Sequence, residues 1–219
     1  MKKFKKTKIL SLVLAAVMLM SLLLTMTACE ACSRGTLDID DTKTFAAMNI
    51  LDSDTFALQM ELGFEIEMYR QGRNFYANFA GFTAEIFVID GAKYEYKDDE
   101  KVALYKVLTD AEFQEEVDPA KKYGIIDLEG ARFIRSGTKE FEVEGKPSYG
   151  KLFYEEFKEA DGTPNLVFFD DDGIMVGLSQ LGIDGEMKNL PLKITNEIPE
   201  YVLGKFKVRE GYERVEFTG

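Results

Sequence analysis

The chain has no histidine, no tryptophan and only two cysteines in 219 residues. The missing histidine excludes Ser-His-Asp and Cys-His catalysis, together with zinc or iron centres built on imidazole. Two cysteines three residues apart, Cys29 and Cys32, supply no disulfide framework, so the fold must rest on its core. No phosphate-cradling Gly-rich loop follows a strand and opens a helix, so nucleotide chemistry is unsupported. There is no long repeat, no low-complexity segment and no linker that would divide the chain into two domains. Cations are outnumbered as well. The 27 Lys and Arg against 39 Asp and Glu leave a formal charge of −12, a sign that repels nucleic acid phosphates and anionic headgroups.

What the chain does have begins at its start. Five lysines (Lys2, Lys3, Lys5, Lys6, Lys8) precede an apolar run from Ile9 to Leu24, and Thr25-Met26-Thr27-Ala28-Cys29 follows. A positive region, an apolar region and small residues form the layout of a secretory signal. The ending resembles a bacterial lipobox, with Met26 where Leu is usual. That resemblance implies cleavage between Ala28 and Cys29, lipidation of Cys29, and a site on the outer face of the cytoplasmic membrane of a low-GC Gram-positive cell. Cys32 is not an alternative, because Glu30 occupies a position that wants a small neutral side chain. Two other readings remain: an uncleaved membrane span, for which the apolar run is nearly long enough, and an ordinary signal peptide with an incidental cysteine. The expected organisation is a signal peptide over 1–28, a lipidated cysteine and tether over 29–41, and one domain over 42–219. Removing the leader takes the formal charge from −12 to −17. The acyl chains, rather than the acidic domain, would then hold the protein to the membrane.

The domain reads as mostly β. From Phe56 to Met68, apolar Phe56, Leu58, Met60, Leu62, Phe64, Ile66 and Met68 alternate with Gln59, Glu61, Glu65 and Glu67, which predicts one long strand with a bend at Gly63. Gln71-Gly72-Arg73-Asn74 is a turn. Asp90-Gly91, Glu144-Gly145, Asp161-Gly162, Asp172-Gly173 and Asp184-Gly185 lie mostly between β-rich runs, and Gly supplies the positive φ of tight hairpins. Five such signals predict an antiparallel meander rather than a parallel α/β fold. Two helices are expected, one before the meander and one that interrupts it. Asp41 is placed to cap one over Thr42–Leu51, with Phe45, Met48 and Leu51 or Ile50 on one face. Thr109 and Glu112 form a capping-box pair, with Leu108 and Phe113 as a hydrophobic staple, for a helix that runs to Val117 before Asp118-Pro119.

The remaining chemistry is thin. Asp170-Asp171-Asp172-Gly173 lacks the calcium-loop spacing and reads as a solvated hairpin tip. Glu155 and Glu156 are adjacent on a strand, so they point to opposite faces and cannot form a catalytic dyad. No metal, cofactor or catalytic residue is assigned. Tyr149, Leu152, Phe153, Tyr154 and Phe157, then Leu166–Phe169, are apolar on both parities. Either both sheet faces are covered there or one lines an apolar pocket.

The run Glu144-Gly145-Lys146, Tyr149, Tyr154-Glu155-Glu156-Phe157, Phe169-Asp170-Asp171-Asp172-Gly173, then Ile198-Pro199-Glu200-Tyr201, Phe206 and Gly211-Tyr212, resembles small uncharacterised Gram-positive lipoproteins. These are similar to the LolA and LolB lipoprotein carriers and the LppX-type lipoproteins. The resemblance implies an incomplete, curved antiparallel β-barrel with short helices on its concave face, and a lipid or acyl ligand. It brings no catalytic residues. On that reading Phe64, Ile66, Phe87, Phe153 and Phe168 are candidates for the concave face. Two non-enzymatic functions remain: a binding module for an apolar or amphipathic ligand, or an interaction or sensor module with a self-filled core that meets a protein or cell-wall partner. Neither engages nucleic acid.

Overall fold

The computed structural model describes residues 37–81, 84–118, 125–126, 128–182 and 184–217. The leader, Ala28 and Cys29 lie outside the described residues. Among those described, twelve strands form one open, curved sheet: β1 (Thr55–Glu61), β2 (Glu65–Gln71), β3 (Asn74–Phe79), β4 (Ala84–Ile89), β5 (Ala92–Lys97), β6 (Val102–Val107), β7 (Arg132–Glu140), β8 (Lys151–Lys158), β9 (Pro164–Phe169), β10 (Met175–Leu181), β11 (Met187–Thr195) and β12 (Glu213–Glu216). Their order is β12-β6-β5-β4-β3-β2-β1-β11-β10-β9-β8-β7. Each described pairing is antiparallel except β12 with β6. Three short helices accompany the sheet: α1 (Lys43–Leu51), α2 (Asp110–Val117) and α3 (Glu200–Leu203).

The expected long strand is a hairpin. β1 and β2 pair antiparallel about Leu62-Gly63-Phe64, and Gly63 has φ +78°. Glu61 pairs with Glu65 and Met60 with Ile66, so both strands put even-numbered residues on one face. The alternation therefore passes through the turn unbroken, which hides the turn from a period-two reading. The acidic-Gly turns fall between paired strands; at Asp90-Gly91 both residues have positive φ, 51° and 79°. Glu144-Gly145 sits in a longer connection between β7 and β8.

One face carries the larger core. Phe56, Leu58, Met60, Ile66, Met68, Phe75, Val88, Val167, Phe169, Met175, Leu192 and Ile194 from the sheet pack with Ala47 and Leu51 of α1 and with Phe113 and Val117 of α2. We call this the helix face. Ile39, inside the segment expected to be tether, already packs against it. The cap of α1 is Thr42, whose hydroxyl accepts from the Phe45 N–H at 3.1 Å, rather than Asp41. The buried stripe is Thr44, Ala47 and Leu51, turned from the expected Phe45–Met48 stripe because a buried carboxylate of β8 fixes the helix start. Thr44 is fully buried since its hydroxyl also bonds that carboxylate, on Glu155, at 2.7 Å.

Helix α2 forms as expected, with both halves of the capping box and with Leu108 and Phe113 buried. It is acidic, and three cations fasten it, one from the β2–β3 turn and two from strands: Arg73 to Asp110 at 2.6 Å, Lys93 to Glu116 at 3.0 Å and Lys106 to Glu112 at 2.7 Å. The Lys106 hydrogen bond, followed by the Thr109 N–H and hydroxyl, holds the Glu112 carboxyl down to about 2. A depressed carboxyl stabilises the fold above its unfolded value, about 4.3, and that contribution is lost as pH falls toward the folded value. A carbon-detected NMR titration should therefore place the Glu112 midpoint well below that of other exposed glutamates. In Lys106→Met it should move up; an unmoved midpoint would remove Lys106 as the chief cause.

The opposite, outer face has two separate covers. Over β1–β6, Val202 and Phe206 of the C-terminal segment seal a ladder of Tyr69, Tyr76, Phe87, Tyr94 and their neighbours. Over β8–β10, Phe141 is fully buried against Phe168, with ring centres 4.5 Å apart, and lies where Gly177 has no side chain.

Candidate functional site

The five candidate concave-face residues do not share a face. Ile66 belongs to the helix-face core, with Phe64 and Phe153 partly buried against it. Phe87 lies in the outer-face tyrosine cluster, and Phe168 packs against Phe141 and Tyr154 on the outer side. The reason is register. Val167 and Phe169 face the helices, so Phe168 between them must face away, and Val88 does the same to Phe87. An apolar run cannot reveal which parity points inward; here each is buried beneath a different cover. Ile66 is 1% exposed and Phe168 1% exposed, each closed over by the protein's own side chains.

Between the two outer covers the sheet is open. Register puts Gln59, Glu61, Glu65, Glu67 and Lys193 on one side of β1, β2 and β11: Glu61 opposes Glu65, and Gln59 opposes both Glu67 and Lys193. They line a cleft of about 290 Å³ with Tyr149 on one wall. Tyr201 stands at the Glu67 end and donates to the Glu67 carboxylate at 2.9 Å. The Tyr69 hydroxyl lies 3.0 Å from the same carboxylate oxygen and 2.7 Å from the Tyr201 hydroxyl, and its single proton goes to one of the two at a time. Burial first, then its bonds with Tyr201 and Glu67, push the Tyr69 phenol far above its ordinary value. This phenol stays protonated and serves as a fixed donor. At the other end Lys146 meets Glu61 at 2.8 Å. The Glu65 carbonyl accepts from the Ala80 N–H at 2.9 Å, whereas its carboxylate has no hydrogen-bond or ion-pair partner among the described residues and feels Lys146 only at longer range.

The same face holds its C-terminal cover by cations. Lys205 lies 4.8 Å over the Tyr76 ring and Arg209 4.4 Å over Tyr96. Both reach Glu85, at 2.9 and 3.4 Å, and Tyr76 donates to it at 2.6 Å. Burial alone would raise the Glu85 carboxyl; the Tyr76 and Lys205 hydrogen bonds and the two cations bring it below its ordinary value.

A second opening, about 430 Å³, lies beside α1 at the ends of β10 and β11. Its floor includes Ala47, Met175 and Ile194, and its rim Lys43, Asp172 and Glu197. The Lys43 ammonium rests 4.8 Å over the Phe153 ring. Glu155 is 3% exposed and is consumed at the start of α1, whereas Glu156 pairs with Arg135 at 2.6 Å. The two adjacent glutamates thus serve opposite faces, as their strand position requires. Asp170 accepts from the Asp172 and Ile174 N–H groups and closes the β9–β10 turn. Among the described residues, no group of three metal-ligating side chains is assembled, and no helix is long and apolar enough to cross a membrane.

No family model matches the chain, and no curated protein does. Among solved structures it is similar to an uncharacterized conserved protein from Thermus thermophilus, at 10% identity and a TM-score of 0.36 over 80% of this chain and 100% of that one.

Proposed function

We propose that this protein is a lipoprotein, anchored through Cys29 on the outer face of a Gram-positive-type cytoplasmic membrane, that binds a partner and catalyses no reaction. The anchor reading rests on the lysine-rich leader and the Thr27-Ala28-Cys29 ending. The interaction reading rests on one observation: the residues best placed to hold a ligand between sheet and helices, Ile66 foremost, are buried by the protein's own side chains, whereas the outer face keeps an open, acidic cleft. The open curved sheet with α1 and α2 on one face is compatible with the resemblance to LolA- and LppX-type lipoproteins. A second reading, a module for an amphipathic lipid or acyl ligand, is favoured by the opening beside α1, whose volume and apolar floor suit a small ligand.

A single preparation tests both. Cells that express the full chain are fed a fatty-acid probe, and the membrane-extracted protein is weighed by native mass spectrometry. Label and membrane retention should be lost in Cys29→Ala; an unchanged membrane fraction would replace the lipid anchor by an uncleaved span. A mass accounted for by the acylated chain alone supports the interaction reading. A further, solvent-extractable lipid would favour the second.

A further inference from the structure

We infer that the open stretch of the outer face, between Tyr149 and Tyr201, is a docking surface for a basic segment of a partner protein, one that presents lysine or arginine to Glu65 and Glu67. The inference rests on the interaction reading above and names its partner class. Three places on this face share one chemistry, and the chain itself fills two of them. At the first, Lys205 and Arg209 lie on the rings of Tyr76, Phe87 and Tyr96 and converge on Glu85. At the second, Lys146, four residues before Gly150, meets Glu61. The third, at Glu65 and Glu67, has the carboxylates, with Tyr149 on one wall and Tyr201 bonded to Glu67; Lys193 lines the same cleft and the Lys146 charge acts on Glu65, but among the described residues neither lysine makes an ion pair with Glu65 or Glu67.

The geometry suits a cation on a side chain better than a free ion. The Glu67 carboxylate is already held by Tyr69, Tyr201 and Gln59, so it is oriented before anything arrives. Glu65 is exposed and uncompensated at hydrogen-bond distance. Tyr149, 41% exposed, and Tyr201, 59% exposed, offer ring surface beside the carboxylates, and an ammonium or guanidinium over such a ring is attracted by its π face. A metal would need converging ligands, and none converge here among the described residues. The acidic charge of the whole chain adds long-range attraction for a basic partner, while the cleft fixes where that partner stops.

The test uses the full-length protein and a defined probe, an N-acetylated, C-amidated heptapeptide that alternates lysine with valine, followed by calorimetry at physiological salt. Two variants carry the same change of charge: Glu65→Lys in the cleft and Asp171→Lys at the exposed β9–β10 turn. Binding should weaken about tenfold or more in Glu65→Lys and less than about twofold in Asp171→Lys, as expected when a contact charge is reversed and a remote one is screened. Equal weakening in both would mean diffuse attraction to an acidic surface and would overturn the inference. No binding to the parent protein would overturn it too. Either failure leaves the Cys29 labelling result standing, so loss of this docking surface and loss of the anchored-module reading are separable.

Discussion

Glu155→Ala should cost about 3 kcal/mol of unfolding free energy, because buried donors left without an acceptor each cost on the order of 1–3 kcal/mol. The Glu155 carboxylate lies on the helix face of β8 and accepts from the Lys43 N–H at 3.0 Å, the Thr44 N–H at 2.8 Å and the Thr44 hydroxyl at 2.7 Å. Lys43 and Thr44 open α1, where the N–H groups lack partners within the helix and the helix dipole favours negative charge. Thr42 satisfies Phe45, so the two caps between them hold the first turn. Urea unfolding should show the loss as a lower midpoint with an unchanged slope. Glu155→Gln keeps the shape and one acceptor oxygen and should lose about half as much, a charge-assisted bond being roughly twice as strong as a neutral one. A double-mutant cycle with Thr44→Val should be clearly non-additive, since the two side chains touch. Amide exchange in α1 should rise in Glu155→Ala before it rises in β3, which is paired on both sides by β2 and β4. A loss no larger than that of an exposed glutamate such as Glu115 would mean that core packing alone positions α1.

Glu155 also marks where the sequence stops being legible. Adjacent glutamates on a strand must face opposite ways, and they do, one to a helix start and one to Arg135. Nothing local indicates that a helix 111 residues earlier in the chain would end on one of them, because that contact is created by sheet order. The capping box at Thr109 and Glu112 was readable because its donors and acceptors lie within four residues. So were the Gly turns, where positive φ limits the choice of residue. The β1–β2 hairpin was not readable, because Leu62 and Phe64 continue the apolar alternation through the turn. The acidic cleft was spelled out in Gln59, Glu61, Glu65 and Glu67, yet it read as the wet side of a strand. One wall comes from Tyr149, and Tyr201 bonds to Glu67 at its end, both far away in sequence. The parallel strand β12 carried no signal, as all four of its residues are exposed and no alternation marks it.

The second large effect concerns the cover that forms one wall of that cleft. Phe141 is fully buried, tilted against Phe168 with ring centres 4.5 Å apart and edge-on to Tyr149 at 5.2 Å. Its ring occupies the space above Gly177, so that a Cβ added there would run into the ring. The strand pairing shifts register beside Gly177, and Pro191 faces it, where a central strand would otherwise need a donor. Phe141→Ala should therefore cost about 3–5 kcal/mol, the range for truncating a buried aromatic. Gly177→Ala should cost about 1–3 kcal/mol, because the ring is rigid and must move as a unit. The two changes address one space from opposite sides, so combining Gly177→Ala with Phe141→Leu should cost less than the sum of the single losses. Full additivity in urea unfolding would mean that ring and glycine are independent. The functional consequence separates this pair from the α1 contact. The Tyr149 N–H donates to the Phe141 carbonyl at 3.2 Å, and the same connection carries Lys146 to Glu61. Loosening Phe141 should unseat the Tyr149 ring from the cleft, so Phe141→Ala should weaken lysine-peptide binding under conditions where the protein remains folded, even though release of Lys146 from Glu61 would act the other way, whereas Glu155→Ala should leave binding unchanged under those conditions. The reverse pattern would move the docking surface from the outer face to the opening beside α1.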